Sequence, residues 1–135
     1  MKHRFVYLCW SLALVFVFAV PVSRAEDKQA LFQQQLVEVE QKLKAAPNDL
    51  KLRLERARLL GRLKLYKEEL AETEALALKY PKEAQVYRYM GESYSGQRQW
   101  KLALSSINKA FDLCEPTAQM YCLRSGLLCQ VGRFK

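Results

Sequence analysis

Residues 84–117 read AQVYRYMGESYSGQRQWKLALSSINKAFDLCEPT, and the fold turns on them. Tyr87, Met90, Gly91 and Tyr94 recur at three- and four-residue steps, which places their side chains on one face of an α-helix. Ala103, Ile107 and Ala110 do the same further along. The spacing predicts one helix over Ala84–Gln97 and a second over Trp100–Cys114, antiparallel across a short turn. A small residue at Gly91 lets the second helix come close to the first, and an aromatic at Trp100 fills the gap beside it.

Outward from this segment the same design recurs. The interval from Pro47 to Pro81 sets a period, and Pro116 nearly continues it. Steps of 34 align Ala57, Gly91 and Ser125, all small, and Leu60, Tyr94 and Leu128, all large. They align Tyr66, Trp100 and Phe134, all aromatic, and also Leu50, Ala84 and Ala118, and Leu76 with Ala110. One helix pair cannot bury its own apolar face, so such units stack. The repeats are expected at 50–83, 84–117 and, in part, 118–135. Ahead of them, Leu31, Leu36, Val39 and Leu43 approximate one helical face, and Pro47-Asn48-Asp49 stops it. Residues 26–46 are therefore expected to form a lone packing helix.

On these residues the chain resembles the tetratricopeptide repeat family. The family's order on the first helix is aromatic, large apolar, small, aromatic, matched by Tyr87, Met90, Gly91 and Tyr94. An aromatic at the turn and then alanine, large apolar, alanine are matched by Trp100, Ala103, Ile107 and Ala110. The third unit resembles this through Tyr121, Ser125, Leu128, Gly132 and Phe134. The first is more divergent, with Arg53 and Glu69 in place of an aromatic and an alanine. Arg56 and Arg124 stand at the large apolar place held by Met90. A desolvated arginine needs a carboxylate, and Arg56 is expected to reach Glu69 or Glu72.

The resemblance implies an all-α fold, a right-handed superhelical solenoid of about two and a half helix-pair repeats plus the N-terminal helix. It also implies a concave groove lined by the first helices and a role in binding protein. A helical wheel places Lys51, Leu54, Arg58 and Arg62 on the groove stripe of the first unit, and Gln85, Arg88, Glu92 and Ser95 on that of the second. Gln119, Cys122, Gly126 and Cys129 form the third. Arg58, Arg62 and Arg88 are the expected polar contacts, with Tyr89 as a flanking aromatic, and the partner is a protein or peptide segment carrying acidic residues. The plainer alternative is a solvated charged face. The Lys and Asn pattern of the family's carboxylate-gripping members is essentially absent: Leu54, Arg58, Tyr89, Gln119 and Leu123 occupy those places.

The N-terminus reads as an export signal over 1–25. Lys2, His3 and Arg4 precede an apolar run, Phe5 to Val20, broken only by Ser11, and Ser23-Arg24-Ala25 offers a cut after Ala25. A spanning helix wants about 20 apolar residues, more than this run supplies. An uncleaved anchor is therefore the secondary expectation, and membrane contact follows only in that case. Either way the rest lies outside the cytoplasm, in the periplasm or secreted. Removing 1–25 takes away Lys2, Arg4 and Arg24, which leaves 19 Lys+Arg against 14 Asp+Glu, a net charge of +5. That excess suits an acidic partner and also keeps a small protein soluble.

Composition excludes much chemistry. His3, the sole histidine, falls in the signal, so the chain beyond Ala25 has no imidazole for base catalysis or metal binding. No cofactor, no metal and no enzymatic activity are expected. Lys42 to Lys67 holds nine basic residues and two acids, but its leucines fall at helical spacing and no nucleic-acid-binding module is present. Cys114, Cys122 and Cys129 remain after cleavage. Cys122 and Cys129 lie about 10.5 Å apart along a helix, too far to bridge, and buried free thiols are expected. The sequence stops just after Phe134, so Leu123, Leu127 and Leu128 are expected to form a partly exposed edge. Docking or homo-oligomerisation through it, as a structural subunit, is the alternative function.

Overall fold

The computed structural model describes residues 24–133, so the signal assigned to residues 1–25 falls, but for Arg24 and Ala25, outside the described residues. Six α-helices and no strand make up the described chain: α1 (Arg24–Ala45), α2 (Leu50–Arg62), α3 (Tyr66–Lys79), α4 (Ala84–Gly96), α5 (Trp100–Leu113) and α6 (Ala118–Arg133). The fold class is all-α. None of these helices is long and apolar enough to cross a membrane. The starts of α2, α4 and α6 are evenly spaced, and the start of α5 follows that of α3 by the same interval, the period of the sequence.

Local chemistry repeats with that period. Asp49 caps α2, its carboxylate accepting from the backbone N–H of Lys51 at 2.8 Å and of Leu52 at 3.2 Å. Glu83, at the equivalent place of the next unit, caps α4 through the N–H of Gln85 at 3.3 Å. The Thr117 hydroxyl accepts from Met120 at the start of α6, at 3.4 Å. At the other end, Lys64 (φ 60°) and Arg98 (φ 61°), also equivalent, sit in the left-handed region. Each closes its helix in the same way. Lys64 N–H donates to Gly61 and Leu65 N–H to Leu60, as Arg98 donates to Ser95 and Gln99 to Tyr94.

A left-handed residue with a Cβ is strained by about 1–2 kcal/mol, and both side chains are exposed. Lys64→Gly and Arg98→Gly should each stabilise the chain by about 0.5–1 kcal/mol, the relief less the added entropy of an unfolded glycine. The urea midpoint reads this, and a fall in midpoint for both variants would contradict it.

Each helix packs on the next, and α2, α4 and α6 also touch one another in series, while α1, α3 and α5 do not. Crowding in one layer and spreading in the other curves the stack, with α2, α4 and α6 on the inner side. Between α4 and α5 the notch is at Gly91: a Cβ there would meet Ile107 Cδ1 and Cγ1 at 2.7 Å. Ala103, Ile107 and Ala110 are fully buried. Ile107 and Ala103 share a cluster with Leu127 of α6, and Tyr87 with Ala110 and Met120.

The first unit buries Ala57, Leu60 and Leu76 and adds an ion cluster across the pair. Glu72 takes Arg53 Nε at 2.6 Å and Arg56 Nη1 at 2.8 Å, and Arg56 Nε reaches Glu40 of α1 at 3.2 Å. The expected carboxylate for Arg56 is thus Glu72; Glu69 does not serve. Arg124, at the equivalent place in α6, lays its guanidinium over the Phe111 ring at 4.9 Å.

Two expectations need correction. Cys114, Cys122 and Cys129 are free and exposed, the last two because α6 turns Met120 and Leu127 toward α5 and so directs Cys122 and Cys129 the other way. The leucines of α6 also separate: Leu127 is core at 2% exposure while Leu128 is 50% exposed.

Candidate functional site

On the inner layer lies an open cleft of about 380 Å³. Arg58, Gly61 and Arg62 of α2 form one wall, and Arg88, Tyr89, Glu92, Ser95 and Gly96 of α4 the other. Tyr66 and Trp100, the turn aromatics, close one end, and Gln119 and Leu123 of α6 the far side, with Glu69 of α3 at the bottom. Helical spacing brings Arg58 and Arg62, one turn apart, onto the same wall. Two glycines shape the cleft. A Cβ on Gly96 would strike the Tyr66 ring at 2.5 Å, and one on Gly61 would come within 2.6 Å of the Glu69 carboxylate.

The three arginines differ in what they have free. Arg58 is held by Glu55 of its own helix, Nε to Oε2 at 2.8 Å and Nη2 to Oε1 at 2.5 Å. That pair raises the pKa of Arg58 and lowers that of Glu55. Arg88 Nη1 meets Glu92 Oε1 at 2.7 Å while its guanidinium lies 4.1 Å from the centre of the Tyr89 ring. Arg62 is exposed and has no ion pair among the described residues. As these pairs are intrahelical and partly exposed, each contributes only a few tenths of a kcal/mol, about 0.3–0.5, and a competing carboxylate can displace them.

Glu69 is the unusual member. It is 0% exposed, and neither carboxyl oxygen has a hydrogen-bond partner among the described residues; nor does the Ser93 hydroxyl nearby. Burial pushes its pKa up to about 7. Ser93 and Arg88 pull it down, and Glu92 adds to the rise. No cluster of His, Cys, Asp and Glu suited to a metal ion occurs among the described residues.

Of the residues singled out in the sequence, Arg58, Arg62, Arg88, Tyr89 and Glu92 line the cleft. Lys51, Leu54 and Cys122 do not, and Gln85 lines a neighbouring hollow with Arg88 and Met120. Tyr89 is 4% exposed beneath Arg88, so it is a wall of the cleft and no free flanking aromatic. Tyr66 and Trp100 are legible in the sequence as gap fillers at the turns, yet their other edges face the cleft. Glu69 is visible there only as a carboxylate one period ahead of Ala103.

Comparison of the chain with protein-family models, with curated proteins and with solved structures finds no match.

Proposed function

We propose that the chain is an exported adaptor or assembly factor of the tetratricopeptide type, a right-handed solenoid that holds an acidic segment of a partner protein in the cleft across α2, α4 and α6. The observation that carries this reading is the convergence of Arg58, Arg62 and Arg88 on one concave surface, with Arg62 unmatched by any acid among the described residues. Caps, left-handed turn residues and helix starts that recur at one fixed interval support the repeat assignment. Export rests on the N-terminal sequence pattern, and a processed protein that begins at Glu26, read by mass, is its check.

Charge reversal tests the cleft. Arg58→Glu/Arg62→Glu places two acids where an acidic segment would lie and should weaken binding of a labelled glutamate-rich peptide by at least about tenfold. Helical circular dichroism should not change, since neither guanidinium bridges two helices. Equal affinity of wild type and variant for the peptide would refute the assignment.

A second reading is favoured by the outward face of α6. Ala118, Cys122, Ser125, Gly126 and Cys129 are exposed and uncharged, and Tyr121 and Leu128 flank them at 55% and 50% exposure. A structural subunit would dock or dimerise there. Sedimentation under reducing conditions separates the two: a monomer favours the adaptor, a stable oligomer the subunit.

A further inference from the structure

We propose that Glu69 couples occupancy of the cleft to proton uptake: the cleft takes a carboxylate-bearing segment while Glu69 is the neutral, hydrogen-bond-donating acid, and releases it when Glu69 ionises. This rests on the reading of the cleft as a site for an acidic segment, and adds to it the group that regulates the site.

Glu69 lies at the bottom of the cleft, fully buried, with both oxygens unpartnered and packed directly against the bare backbone of Gly61. A carboxyl group in that state is costly as an anion and has an unused donor as an acid. The charged groups around it are few. From α2 come Arg58, already matched by Glu55, and Arg62, which is unmatched. From α4 come Arg88, matched by Glu92, together with the Tyr89 phenol and the Ser93 hydroxyl. On α3 itself, Tyr66 lines the cleft, and Glu72 is turned to Arg53 and Arg56.

Ionised Glu69 therefore takes one unit of positive charge from a cleft that holds Arg58, Arg62 and Arg88, and neutral Glu69 leaves that charge available to a ligand. An incoming carboxylate makes the contrast sharper. Two carboxylates side by side, one of them buried, each raise the other's cost of ionisation, so the anion that is easier to protonate takes the proton. That anion is Glu69, buried with no cation paired to it and only the Ser93 hydroxyl near it as a donor, whereas the ligand's carboxylate has guanidinium partners. The balance is one ligand carboxylate bound and one proton taken from solvent. A cationic ligand group would do the reverse, expelling the proton.

The test uses hexaglutamate amide as the probe, with hexalysine amide as its opposite. Titration calorimetry runs from pH 6 to pH 8, in two buffers of different ionisation enthalpy. With wild type, hexaglutamate affinity should fall about tenfold from pH 6 to pH 8, with close to one proton taken up per peptide at pH 8. Glu69→Gln, matched in size, and Glu69→Met should both give flat profiles and no proton uptake. A flat wild-type profile, or the same slope in both variants, overturns the role of Glu69. If that flat binding is still abolished by Arg58→Glu/Arg62→Glu, the acidic-segment reading survives alone. No hexaglutamate binding at any pH, whether or not hexalysine binds, overturns both.

Discussion

Ile107→Ala should remove about 3–4 kcal/mol of stability and lower the melting temperature by more than about 10 °C. Ile107 is fully buried where three helices meet. It fills the notch at Gly91 of α4, stands on α5, and packs against Leu127 of α6. Truncation leaves a cavity that these neighbours cannot close, because the helix axes are fixed by their other contacts. The loss should spread to α6, whose amides should exchange faster, since Leu127 is its main buried apolar anchor beside Met120. Thermal and urea unfolding followed by helical circular dichroism measure the effect. A change below about 1 kcal/mol would mean that α5 does not seat in the notch. The converse substitution is coupled to it: Gly91→Ala adds a methyl at 2.7 Å from Ile107, and Ile107→Val, which deletes Cδ1, should recover part of that cost in a double-mutant cycle.

The second large effect is a pH dependence of stability set by Glu69. Its pKa is raised from 4.5 to about 7 in the folded chain, so the native state holds this proton more tightly than the unfolded state does. The sign follows. Between about pH 4.5 and 7 the native state carries more protons, and the slope of unfolding free energy with pH is negative. The stabilisation is full below the unfolded pKa and is lost as pH rises through the folded one, a change on the order of 3 kcal/mol from this group. Glu69→Gln keeps the shape and removes the titration. The variant should match wild type near pH 5 and exceed it by on the order of 3 kcal/mol at pH 8. Parallel urea series at the two pH values decide it, and an unchanged difference between wild type and variant would exclude Glu69 as the source.

Both effects lie on the seam between the two helices of a pair, in consecutive units one period apart. Glu69 and Ala103 are equivalent positions, one period apart. In the second unit the alanine lets α4 and α5 close around Ile107, with Gly91 as the notch. In the first, a carboxylate sits against Gly61, and Glu72 between Arg53 and Arg56 joins the buried Ala57, Leu60 and Leu76 in holding the seam. The divergent first unit is thus the polar one, and the cleft opens beside it.

Helix pairs, the boundaries of α4 and α5 to within a residue and the apolar seam of α5 were legible in the sequence, because periodicity of apolar side chains is a one-dimensional record of which face is covered; on α4 the reading found Tyr87 and Gly91 but missed buried Val86 and Tyr89. The alignment of arginines on one stripe followed from the same geometry. What only the tertiary structure decided is which partner each polar group meets. Spacing alone offered Arg56 both Glu69 and Glu72; packing gave it Glu72 and left Glu69 buried without an ion pair among the described residues. Nor could spacing show that Tyr89 is capped by Arg88, that Tyr66 and Trp100 close the cleft, or that the thiols of α6 face outward. The physical reason is range. Backbone periodicity is fixed by contacts three and four residues apart, whereas burial and ion pairing depend on residues brought together from helices 16 to 20 positions away.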